Sequence, residues 1–155
     1  MIKMSRRGFT LIELLIAMAI LAVLSALGFA NFQSTRIKAQ DAKRKSDLST
    51  IAKSLEAYVN DHRSYPQDNG GGQIVCQTGV TCAWGTTFTD GTTTYAAPLP
   101  ADNGGHSYYY TSTGTSFSLY ATLDNPNDSS IQSISGVYCG GTTPCNYKIT
   151  SSNIE

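Results

Sequence analysis

One carboxylate, Glu13, interrupts an otherwise uncharged apolar run from Phe9 to Ala30. At about 1.5 Å per helical residue the run would extend roughly 33 Å, enough to cross the hydrocarbon core of a bilayer. A charge in such a helix costs on the order of 2.5 kcal/mol or more unless it reaches the interface or meets an opposite charge. The chemistry Glu13 suggests is therefore ion pairing in a dry medium. The other residues with chemical potential lie far along the chain. They are two close cysteine pairs (Cys76 with Cys82, Cys139 with Cys145), two histidines (His62 and His106) and the oxygen-rich run Asp124-Asn125-Pro126-Asn127-Asp128.

Each cysteine pair encloses five residues, longer than the usual zinc spacing, and neither has a histidine beside it. Disulfides in an oxidising compartment are the expected reading. Of the three possible connectivities, local pairing is expected, because each Gly/Thr-rich loop is flexible enough to close. In the run 124–128, Asp124, Asn127 and Asp128 are weak candidates for calcium, which takes six to eight oxygens. The plain alternative is an Asx-Pro turn. Asn127-Asp128-Ser129 also fits a glycosylation triplet. His62 and His106 have no nucleophile motif around them and read as surface residues. No phosphate loop, zinc helix or dinucleotide fingerprint occurs, so neither an enzyme nor a cofactor is expected.

These residues need elements to place them. A basic leader, residues 1–8, carries Lys3, Arg6 and Arg7; residues 9–30 form the apolar span. A conventional secretory signal cut near Ala26-Leu27-Gly28 is the first alternative, but such a core is shorter and holds no acid. A plain membrane anchor is the second. Residues 31–62 continue as an amphipathic stalk, with Leu48, Ile51, Ala52, Leu55, Tyr58 and Val59 in one stripe. Asp41, Arg44, Lys45 and Asp47 are spaced for ion pairs on the wet side, and Lys43-Arg44-Lys45 reads as a solvated or subunit-contacting face. The two halves predict one helix of about 50 residues, near 75 Å. Gly28 is either a soft spot within it or a site of close helix packing. Pro66 predicts the helix end between Asp61 and Tyr65.

Residues 63–155 form the expected globular head. Asp90-Gly91 between threonine-rich segments predicts a two-residue hairpin. Strands are expected at Ser107–Thr111 and Ser116–Leu123, with Phe117, Leu119, Ala121 and Leu123 on one face. A third strand is expected near Val137–Cys139 or Asn146–Ile149. In Tyr108-Tyr109-Tyr110, Tyr109 faces away from its neighbours; with Trp84 it is a core or contact aromatic. Charge is segregated: residues 36–63 carry seven bases and four acids, while residues 64–155 carry six acids and one base. An acidic head without a basic stripe argues against nucleic-acid binding by a single subunit.

Gly8-Phe9-Thr10-Leu11-Ile12-Glu13-Leu14 behind a basic leader resembles the class III signal of type IV prepilins and type II secretion pseudopilins. The stretch from Asp47-Leu48 through Ile51, Leu55-Glu56, Tyr58 and Asp61 to Tyr65-Pro66 is similar to the stalk of the same family. The resemblance covers residues 1–66 in motifs and the remainder in layout. It implies an α+β pilin fold, a long N-terminal helix packed on a small antiparallel sheet. It further implies cleavage between Gly8 and Phe9 by a prepilin peptidase, methylation of the new Phe9 amine, and assembly roles for Phe9 and Glu13. The precursor would be a single-pass membrane protein. An assembly platform and motor ATPase would build it into a homo-oligomeric filament, extracellular or periplasmic. Pseudopilins of type II secretion are known for a calcium site in their C-terminal region, and this sequence lacks the acidic motif that marks it. That departure favours a type IV pilus-like subunit over a pseudopilin of secretion or DNA uptake. A membrane-tethered binding module is the third reading.

Overall fold

The computed structural model describes residues 8–151, except for the side chains of residues 26–31. The leader bases Lys3, Arg6 and Arg7, and the surroundings of Gly28, lie outside the described residues. Helix α1 runs Leu11–His62, 52 residues. It begins where Thr10 and Glu13 cap it and ends at Arg63, which adopts the left-handed conformation (φ 61°) and donates its N–H to the Val59 carbonyl at 2.8 Å. The chain divides into two compact units, one up to Ile37 and one from Lys38 onward.

In the first unit the apolar side chains are bare. Phe9, Leu11, Ile12, Leu14, Leu15, Ile16, Met18, Ile20, Leu21, Val23 and Leu24 are between 52% and 88% exposed. At 3.6 residues per turn these positions cover the whole circumference of the helix. Among the described residues no helix is long and apolar enough to cross a membrane. Residues 26–30 of the expected span lie outside the described side chains.

The second unit packs the rest of α1 on three small antiparallel sheets. Strands β1 (Ile74–Gln77) and β2 (Val80–Cys82) pair, as do β3 (Phe88–Thr89) and β4 (Thr94–Ala96). Strands β5 (Tyr109–Ser112), β6 (Phe117–Ala121) and β7 (Tyr147–Thr150) form a three-stranded sheet in that order. Leu48, Ile51, Ala52 and Leu55 of α1 are fully buried in one core with Phe88, Leu99, Tyr110, Phe117 and Leu119. Full burial of each large apolar side chain stabilises by about 1.5–3 kcal/mol. Along β6 burial alternates, with Phe117, Leu119 and Ala121 inward.

Two local expectations change. The hairpin at Asp90 is longer than two residues: β3 ends at Thr89 and β4 begins at Thr94, with Asp90 N–H bonded to the Thr93 carbonyl. The Asp90 side chain explains this, because its Oδ1 accepts the N–H groups of both Thr92 and Thr93 and closes a wider turn. Of the two candidate third strands, Tyr147–Thr150 joins the sheet. Around Val137–Cys139 there is only an isolated bridge between Tyr138 and Pro144.

Candidate functional site

At the start of α1, Thr10 and Glu13 form a reciprocal cap. Glu13 Oε2 accepts the Thr10 N–H at 2.9 Å and the Thr10 hydroxyl at 2.8 Å, while Thr10 Oγ1 accepts the Glu13 N–H at 3.3 Å. This is the Thr-x-x-Glu capping box, a signal that the sequence itself carries. It orients the carboxylate back onto Thr10. Gly8 is exposed, and no heavy atom lies within 4 Å of where its side chain would begin. Phe9 is 83% exposed. The Gly8–Phe9 bond, the Phe9 ring and the Glu13 carboxylate thus occupy the exposed tip of an apolar helix. Such an end is open to docking.

A second cluster lies within the unit from Lys38 onward, where the sequence predicts ion pairs on the wet side and a solvated or subunit-contacting face. Arg44 and Asp41 are both buried, at 2% and 1% exposure. Arg44 Nη1 donates to Asp41 Oδ1 at 2.8 Å and Asp124 Oδ2 at 2.7 Å, and Nε donates to Asp102 Oδ2 at 2.7 Å. A side chain at Gly104 would collide with Nη2. Asp41 accepts the backbone N–H groups of Asp124 (2.9 Å) and Asn125 (2.8 Å). Burial alone would lower the Arg44 pKa; hydrogen bonds and charge from Asp124 and Asp102 outweigh it and hold the guanidinium above its ordinary range. Lys43-Arg44-Lys45 is therefore not one solvated face. Lys43 points outward to Asp47, Arg44 is buried, and Lys45 reaches Asp128. The reason is non-local: carboxylates from two distant loops come to Arg44 Nε and Nη1, while Nη2 is buried without a hydrogen-bond partner.

The calcium candidates have other partners. Asp124 binds Arg44 and, through Oδ1, His106 Nε2 at 2.9 Å. Burial pushes the Asp124 carboxyl up, and the Arg44 and His106 hydrogen bonds bring it below the usual range. Asp128 is held below that range by Lys45 and the Ser130 N–H. Asn127 is exposed. Among the described residues no group of three or more His, Cys, Asp or Glu side chains is arranged to hold a metal. His106 is more enclosed than a surface residue, at 18% side-chain exposure, because it packs beside Asp124. His62 stacks on Tyr58 and bonds Asp90 Oδ2 at 2.8 Å. The cysteines form two disulfides, Cys76–Cys82 and Cys139–Cys145. Tyr108 and Tyr110 are buried, whereas Tyr109 lies against Tyr120 on the opposite face.

Comparison with known proteins matches residues 3–29 to the prokaryotic N-terminal methylation motif. Residues 31–129 match the family model described as type II secretion system (T2SS), protein G. The chain belongs to the protein G family. The type II secretion system core protein G of Pseudomonas aeruginosa is 31% identical over 122 residues, 77% of this chain and 84% of that protein. Core protein G of Escherichia coli K12 is 29% identical over 110 residues, 70% of this chain and 74% of that one. A type IV wide pilus major component, PilA4 of Thermus thermophilus, is 42% identical over 59 residues, 38% of this chain and 45% of that protein. No solved structure matches the chain. The protein G match spans most of α1 and the head as far as Ser129, so the family extends through the strands and loops around Arg44. The pilin-type reading of the N-terminus thus agrees with the relatives.

Proposed function

We propose that this protein is the repeating structural subunit of a pilus-type filament, made as a single-pass membrane precursor and assembled through its N-terminal helix. The observation that carries this is the helix surface from Phe9 to Leu24, apolar on every side and bare in the single chain. A helix apolar all round is stable only when covered, by lipid before assembly and by like helices after it. Moving from one dry environment to the other gains little from the hydrophobic effect, so packing and charge contacts must select the partner. Glu13 supplies that charge. Once the bond after Gly8 is cut by a prepilin peptidase, the Phe9 amine of an incoming copy has a carboxylate to meet. The head contributes a folded surface, and its role is assembly rather than catalysis. A platform and motor ATPase would drive the transfer.

The secretion relatives favour a short periplasmic pseudopilus, while the Thermus relative carries the name of a pilus component. Deleting the chain and examining sheared cell surfaces by electron microscopy, with protein secretion measured in parallel, separates the two. Loss of surface fibres with secretion intact identifies a pilus; loss of secretion without loss of fibres identifies a pseudopilus. If neither changes, the subunit reading fails.

A further inference from the structure

The run Asp124–Ser130 is rich in oxygen donors, and Asp124, Asn127 and Asp128 within it are the weak candidates for calcium. The donors do not fit a metal, because cations of the chain itself already hold them. Lys45 Nζ lies 2.7 and 2.8 Å from the two carboxylate oxygens of Asp128 and 2.9 Å from Ser130 Oγ. It also stands 5.7 Å from the centroid of the Tyr147 ring, on β7. An ammonium has three N–H donors; here the two Asp128 oxygens and the Ser130 hydroxyl take them up, with the Tyr147 ring within cation–π range. At the other end of the loop Asp124 gives one oxygen to Arg44 and one to His106. The N–H groups of Asp124 and Asn125 are bound by Asp41. A divalent ion at Asp124 or Asp128 would have to displace a resident cation and then sit beside it, with like charges opposed in a half-buried setting.

We infer that the Lys45 ammonium is the built-in cation of this loop, fastening residues 128–130 and β7 to α1 in place of a metal ion. Asp41, Arg44 and Lys45 then act as one clamp, three and four residues apart along one side of the helix. The fold of the head, on this account, is indifferent to calcium concentration.

The test uses the full chain in detergent micelles, with unfolding of the head followed by Trp84 fluorescence. The wild-type thermal midpoint should be the same in excess EGTA and in millimolar calcium chloride, and calorimetric titration with calcium should show no saturable binding. Lys45→Met should lower the midpoint by about 4 °C or more in both solutions, and Lys45→Arg by less. Asp128→Asn should lower it too, and the double variant Lys45→Met/Asp128→Asn should fall little further, since both changes break one contact. A wild-type midpoint that climbs with calcium and returns with EGTA would overturn the inference. So would a Lys45→Met midpoint equal to that of wild type, or fully additive losses in the double variant. The wild-type comparison stands even where a variant fails to fold.

Discussion

Asp41 and Arg44, one helical turn apart, grip the same loop by different handles: Asp41 accepts the backbone N–H groups of Asp124 and Asn125, and Arg44 Nη1 binds the Asp124 side chain. Because the two also bond each other, α1 and the loop after β6 are joined through both main chain and side chain. Arg44 adds the loop at Asp102, so one guanidinium holds together three segments that are far apart in sequence.

Removing that guanidinium should destabilise the head severely. Arg44→Met leaves Asp41 and Asp102 buried with no cation, and breaking a buried ionic network in this way costs about 3–5 kcal/mol. Urea unfolding of the full chain in detergent measures it, with Arg44→Lys expected to lose less. A change under about 1 kcal/mol would mean that the network is no stronger than a surface ion pair.

Acid should loosen that network and the turn at Asp90. Asp124, Asp128 and Asp90 all have carboxyls held below the usual range in the fold. A depressed folded pKa gives stability that is complete above the unfolded value, roughly pH 4, and is lost as pH falls further. Thermal midpoints should therefore be flat from neutral pH down to about 5 and drop below about 4. Asp128→Asn should flatten part of that drop. A midpoint that falls already between pH 7 and 6 would contradict the assignment to these carboxylates.

Much of this architecture was legible in the residues alone. The stripe Leu48, Ile51, Ala52 and Leu55 and the alternation at Phe117, Leu119 and Ala121 declare their buried faces, because both follow from the period of one element. Arg44 could not be read that way. Its i,i+3 spacing to Asp41 looks like any exposed helix pair, and only the tertiary fold brings Asp102 and Asp124 to it. The Thr10–Glu13 cap is legible as Thr-x-x-Glu, but the same Glu13 also stands out as a charge among apolar residues, which masks its place as the third residue of a helix. The wide turn at Asp90 turned on side-chain bonds that the Asp-Gly dipeptide does not specify.

Reduction should loosen the two disulfide loops without releasing the stalk. Each bridge closes a short loop, with a sequence separation of 6, so its loss should cost about 2 kcal/mol by the loop-closure model. Of the two loops, only Cys76 and Cys82 contribute side chains to the core cluster of Leu48, Ile51, Leu55 and Leu119. Hydrogen exchange after reduction should rise in residues 76–82 and 139–145 and stay low from Leu48 to Leu55. Exchange spreading through that helical segment would show that the bridges carry the core.

Glu13 should matter for assembly and little for the folded head. Glu13→Gln and Glu13→Leu should leave processing intact, with filament yield falling sharply when no wild-type copy is present. An unpaired Phe9 amine in a dry bundle is costly, whereas a paired one rewards the correct axial stagger. Thr10→Ala removes the hydroxyl of the cap while keeping the carboxylate, and should reduce yield far less. Normal filament numbers from Glu13→Leu subunits would make the carboxylate a bystander.

The most direct test of the subunit reading is the intact mass of this chain recovered from a purified filament fraction. The account predicts filaments built of a chain that begins at Phe9, carries a methyl group on its amine and retains both disulfides; Gly8→Val should leave uncut precursor in the membrane and none in the filaments. A chain beginning near Phe29 or Asn31, or one confined to the membrane with no filament in any fraction, would contradict it.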